Sequence, residues 1–205
     1  MTESGDKYRM SFTTGGLFLN ESLELTRVHE PGEPWADTVA RAMESGTASL
    51  PKSASNKRTL REIGNRIRTL SDDERQFLLA TADRSDQQAI LWLAMCRAYR
   101  FVREFAVEVV RDRHLSYQLE LPYSAFDILL DSKAEWHPEL EKLSDSTRRK
   151  LRQILFRIMR EAAIITQDDR IQTAILSRRL LQMIEERDPR ELAYFPGIPV
   201  SGGPN

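Results

Sequence analysis

The chain has 205 residues, enough for one compact unit with a core or for two small lobes that share one. A hydrophobic fraction of 40% and a charged fraction of 30% exclude a disordered chain, and the longest apolar run falls well short of the roughly 20 residues a membrane span needs. Against 31 Asp and Glu stand 30 Lys and Arg, a net charge of −1 that speaks for nucleic acid only if the positive residues gather in one place.

In chain order, Met1 to Met10 is polar and reads as frayed or loosely docked, with no secretory signal. Gly15-Gly16 precedes a short helix over Leu17 to Val28; no Gly-Lys-Ser/Thr follows, so the glycines read as a turn, not a phosphate loop. Trp35 to Glu44 is a second helix, ended by Gly46, and Thr47 to Ser55 is a loop. From Ser55 to Leu70 a third helix buries Leu60, Ile63, Ile67 and Leu70 and shows Lys57, Arg58, Arg61, Arg66 and Arg68 on its other face. Ser71 caps a fourth. Asp86 to Arg113, apolar nearly all round, is expected as one long buried helix and the hub of the fold, with Cys96 as core packing.

Tyr123 to Ser132 is a further helix, followed by a tight connection at Trp136-His137-Pro138 in which Trp136 is expected to cap the core. Ser144 to Ser146 cap a helix that runs to about Ala163. Ile164 to Thr166 and Arg170 to Gln172, β-branched around Gln167-Asp168-Asp169, predict a small β-hairpin. Ser177 caps a last helix to Glu186, and the prolines and glycines after Asp188 predict a non-helical tail. The fold class expected is mostly all-α, with an N-terminal helix-turn-helix in 1–85. A central helix and a winged helix-turn-helix fill 86–190, and 191–205 form a flexible tail.

Positive charge does gather. Lys52, Lys57, Arg58, Arg61, Arg66 and Arg68 meet one acid, Glu62, between residues 52 and 68. Arg148, Arg149, Lys150, Arg152, Arg157 and Arg160 meet none between residues 148 and 160. In that second segment Leu151, Ile154, Leu155, Ile158, Met159 and Ala162 form a complete apolar stripe. At 100° per residue Arg149, Lys150, Arg157 and Arg160 project from the opposite side, with Arg148 and Arg152 on the flank. A groove-reading helix needs this division. Arg170 falls near the tip of the expected hairpin, which would be the wing. The residues expected to contact double-stranded DNA are therefore Lys52, Lys57, Arg58, Arg61, Arg148, Arg149, Lys150, Arg152, Arg157, Arg160 and Arg170.

Chemistry is sparse. One cysteine excludes an internal disulfide and fits a reducing, cytoplasmic setting; His29, His114 and His137 lack metal-ligand spacing. Asp131-Ser132-Lys133 resembles the tail of a nuclease motif but sits at a helix end, where the required adjacent strands are missing. No catalysis, cofactor or metal is expected.

Four stretches carry a resemblance: SFTTGGLFLNES (Ser11 to Ser22), LWLAMCRAYRFVREFAVEVVRDR (Leu91 to Arg113), KAEWHPEL (Lys133 to Leu140) and STRRKLRQILFRIMREA (Ser146 to Ala162). In order and spacing they resemble the BrxA family of type 1 bacteriophage exclusion (BREX) systems. The resemblance implies an all-helical protein with two helix-turn-helix elements that binds double-stranded DNA without catalysis. It would be encoded beside defence components such as a methyltransferase, which would be its partners. An isolated monomer is expected. Two other readings stay open: an adaptor whose basic helices dock an acidic partner, and a duplex RNA binder.

Overall fold

Apolar residues on every side of one helix decide how the rest is arranged. In the computed structural model, which describes residues 7–13, 15–45 and 54–200, helix α5 spans Arg84–Ala98. Asp83 caps it by accepting the Asp86 N–H at 2.9 Å, and every residue from Ala89 to Cys96 is buried. A helix of this kind must be covered all round.

The cover comes from both directions along the chain. Ahead of α5 lie α1 (Leu19–Arg27), α2 (Trp35–Ser45), α3 (Ala54–Ile67) and α4 (Asp72–Ala80), with α3 packed on α1, α2 and α5. Ser71 and Glu74 close a reciprocal capping box at the start of α4. Behind α5 come α6 (Arg100–Glu104), a π-helical turn (Phe105–Arg111), α7 (Asp112–Leu115), α8 (Ser124–Ala134), α9 (Pro138–Glu141), α10 (Asp145–Glu161) and α11 (Arg178–Arg187). The Ser144 hydroxyl accepts the Thr147 N–H at the start of α10, and Ser177 does the same for Leu180 at α11. One hydrophobic core runs from Tyr8 to Phe195.

The structure corrects several sequence expectations. The single helix over Asp86 to Arg113 is broken at Tyr99, whose backbone is extended at φ −130° and ψ 108°. Neither proline nor glycine causes this. The Tyr99 ring meets Phe12 edge-on at 5.2 Å and its hydroxyl donates to Glu62, so tertiary contacts override local helix preference. Past the break the chain widens into the π turn before resuming α-helical spacing.

The hairpin is reduced to two isolated antiparallel bridges, Ile165 with Ile171 and Glu120 with Arg170, and no strand is present among the described residues. Asp169 sits at φ 57°, and the Thr166 N–H bonds the Arg170 carbonyl at 2.8 Å. Residues 169–171 also pair with residues 119–121, the Leu121 N–H donating to the Asp169 carbonyl at 2.9 Å and the Ile171 N–H to the Leu119 carbonyl at 2.7 Å.

The start and end of the described chain are packed. Tyr8 is buried rather than frayed, its N–H donating to Glu139 at 2.9 Å and its hydroxyl to Glu104. Residues 189–194 form a 3-10 turn, Phe195 is fully buried, and the Trp92 indole N–H donates to the Tyr194 carbonyl at 2.9 Å. These apolar residues hold part of the expected tail in the core. Trp136 is the reverse case: it is 81% exposed and caps nothing. The expected fraying of residues 1–6, the loop over 47–53 and the tail over 201–205 lie outside the described residues.

Candidate nucleic-acid interface

The exposed face of α3 follows from its spacing. Lys57, Arg58, Arg61, Asn65 and Arg68 fall within about a third of the helix circumference at 100° per residue, while Leu60, Ile63 and Ile67 point into the core. Lys57, Arg58 and Arg61 are exposed and carry no ion pair among the described residues. Arg66, expected on the same face, is buried instead. Its Nε donates to Glu62 at 2.9 Å and its Nη1 to the Gly16 carbonyl at 2.8 Å, while its Nη2 has no partner among the described residues. Lys52 lies outside the described residues.

The α3 face is one wall of a groove of about 580 Å³. The other wall is Arg9, Ser11 and Thr13, and Glu62 and Asn65 complete the lining. A second hollow of about 330 Å³ shares Arg61 and Asn65 and adds Trp35, Val39, Gly64 and Arg68. The wall over residues 9–13 is absent from the sequence expectation. Its signal was the alternation of Tyr8, Met10 and Phe12 with Arg9, Ser11 and Thr13, a period of two that begins in the segment to Met10 read as frayed or loosely docked.

On α10 the apolar stripe is buried as expected, together with Phe156. The arginines opposite are mostly paired. Arg148 meets Asp131 at 2.6 Å, and Arg152 meets Asp127 and lies 5.5 Å over the Tyr123 ring; both acids belong to α8. Arg157 meets Glu161 at 2.7 Å. Arg160 is held by Asp169 at 2.6 Å and by the Tyr123 hydroxyl at 3.0 Å. Burial pushes the Arg160 guanidinium down, but these two bonds raise it above its ordinary value, so it stays charged. Arg170 pairs with Glu120 at 3.3 Å, and the Arg149 Nε donates to the Asp145 carbonyl of its own helix at 3.4 Å. Lys150 is exposed with no ion pair among the described residues. Arg157 and Arg160 line a separate hollow of about 480 Å³ with Arg84, Gln88 and Gln167, at the start of α1. Glu21 and Glu161 also line this hollow, and it shares no lining residue with the groove beside α3.

Among the described residues no group of His, Cys, Asp and Glu is placed to hold a metal ion, and no helix is long and apolar enough to cross a membrane. Burial raises the Cys96 thiol well above its usual range, which leaves it unreactive.

Fold and surface together define an all-helical protein with concave cationic ground on its α3 side. The BrxA family profile matches residues 6–188, and the chain belongs to that family. A curated relative, "BREX protein BrxA" of Escherichia coli O9:H4 (strain HS), is 30% identical over 118 residues, which are 58% of this chain and 54% of the relative. The alignment thus spans about half the relative's length. A crystal structure of an uncharacterized protein from Magnetospirillum magneticum shares the fold, with a TM-score of 0.77, 22% identity, and coverage of 95% of this chain and 100% of that one.

Proposed function

We propose that this chain is a non-catalytic, double-stranded DNA-binding subunit of a BREX phage-defence system. Its principal contact is the exposed face of α3. Arg149 and Lys150 on α10 serve as a second contact, and α8 to α10 with the bridged turn at Arg170 act as a reduced winged helix-turn-helix. The observation that carries this reading is the run of Lys57, Arg58 and Arg61. Three cations stand within two turns of one helix, without ion pairs among the described residues, in a chain of net charge −1. Such charge attracts a polyanion and releases its counterions on contact.

Titration of a duplex at several salt concentrations tests it. The triple variant K57A/R58A/R61A is expected to flatten the dependence of log K on log salt by up to about 2.7, near 0.9 for each phosphate that is no longer neutralised. An unchanged slope removes α3 from the interface.

A second reading, an adaptor that docks another defence subunit, is favoured by one observation. Ile128 and Trp136 are 70% and 81% exposed, two turns apart along α8 and its C-terminal extension. A chain that ignores duplex DNA at low salt yet binds a purified defence subunit, and loses that binding in W136A, would establish the adaptor instead.

A further inference from the structure

The segment ahead of α1 has a periodicity the helical reading of this protein does not use. Its side chains alternate: Tyr8 and Phe12 are buried, while Arg9, Ser11 and Thr13 line the groove. Both anchors are tightly held. Tyr8 is bonded to Glu104 and Glu139, its ring meets His137 at 4.7 Å, and the Arg100 guanidinium lies 4.5 Å over it. Phe12 is fully buried against Tyr99. A segment pinned at residues 8 and 12 is a preformed wall, not an arm that must be ordered on binding.

The lining has a definite chemistry. Arg9, Lys57, Arg58 and Arg61 are cations without ion pairs among the described residues, and Ser11, Thr13 and Asn65 add neutral hydrogen-bonding groups. The one carboxylate among the described lining residues, Glu62, already accepts from Arg66 Nε and from the Tyr99 hydroxyl, so its charge is matched from beneath. The described lining residues are all polar or charged. Three guanidinium groups and hydroxyls suit the several oxygens of a phosphate.

We propose that the groove between residues 9–13 and α3 is a phosphodiester clamp that grips one DNA backbone strand without reading its bases. This deepens the DNA-binding reading and rests on it for the identity of the polymer; the anion chemistry of the groove stands on its own residues. Contacts confined to phosphate fix position and carry no sequence information.

Two measurements on the full chain test the clamp. In duplex titrations, R9A is expected to lower the salt slope by about 0.9 and to weaken binding roughly eightfold at 0.1 M salt, equally for unrelated sequences. In amide chemical-shift titrations, inorganic pyrophosphate is expected to give saturable shifts at residues 9–13 and 57–61 that R61A abolishes and K150A leaves intact. Duplex binding with an R9A slope equal to wild type overturns the clamp and spares the DNA reading. Saturable pyrophosphate shifts without any duplex binding do the opposite. Pyrophosphate shifts spread over all exposed cations without saturation also overturn the clamp. Arg9 is exposed, and a melting curve of R9A that matches wild type shows that the fold is intact.

Discussion

Gly15 and Ala163 hold the same left-handed backbone, at φ 72° and 55°, with opposite consequences for substitution. At Gly15 an added Cβ would lie 1.9 Å from the Phe18 ring, and Phe18 is itself left-handed at φ 58°. The ring must shift to make room. Gly15→Ala is expected to cost about 1–3 kcal/mol in urea denaturation, from backbone strain and overpacking together. Ala163 ends α10 in a turn whose Ile164 N–H reaches back to the Met159 carbonyl at 2.9 Å, a position that favours glycine. Since it is exposed, Ala163→Gly is expected to raise stability by about 0.5–1 kcal/mol in the same experiment. A decrease in the second variant would mean that unfolded-state entropy outweighs the relief of strain. The double glycine was legible in the sequence as a turn before a helix. Ala163 was not, because only a Gly or Asn announces a left-handed helix end. Trp136 was misread for a related reason: a large aromatic beside a proline looks like a core cap, and only the packing reveals that no core lies beneath it.

For the helices, periodicity carried the sequence reading far and through-space contacts limited it. All six stripe residues of α10 are buried, and each serine cap was visible as a serine before an apolar run. The break at Tyr99 was invisible, because the groups that hold its side chain, Phe12 and Glu62, lie 87 and 37 residues earlier. The partners of Arg148 and Arg152 were hidden in the same way, since Asp131 and Asp127 lie 17 and 25 residues upstream on α8. A basic segment tells how many cations a helix carries and not what faces them. On DNA, phosphates must compete with those two carboxylates. If α10 contributes to the interface, D127N/D131N frees Arg152 and Arg148. Duplex affinity should then rise by up to about thirtyfold, given roughly 0.2–1 kcal/mol for each of the two exposed pairs. Equal affinity in fluorescence anisotropy would confine DNA to the α3 side.

Across the whole molecule, one buried cluster ties the first helices to the last turn, and it sets an acid limit on the fold. Arg97 on α5 grips Glu74 of α4 through both terminal nitrogens at 2.8 Å, and Glu191 of the 3-10 turn at 2.9 and 2.6 Å; Arg187 of α11 reaches Glu74 at 2.8 Å. Burial pushes the Glu74 carboxyl up, but the bonds from Arg97 and the Ser71 N–H bring it below its ordinary value of 4.5. At the surface Glu33 is held at about 2, chiefly by Arg41 and the Glu30 N–H. A group whose pKa is depressed by folding stabilises above its unfolded value and loses that contribution as pH falls through the folded value. Unfolding free energy should therefore be level from pH 7 to about 5 and decline below about 4.5. Glu74→Gln removes the titrating group and leaves Arg97 and Arg187 one carboxylate short. At pH 7 it is expected to cost about 3–5 kcal/mol. Its deficit against wild type should shrink as pH falls through the depressed Glu74 value, because the wild-type carboxyl then becomes neutral as well. Urea denaturation of both proteins at pH 7, 5, 4 and 3 checks this. An acid limb as steep in Glu74→Gln as in wild type would place the acid limit in other carboxylates, such as Glu104 or Asp188, and reduce the buried cluster to a static tie between the two ends of the chain.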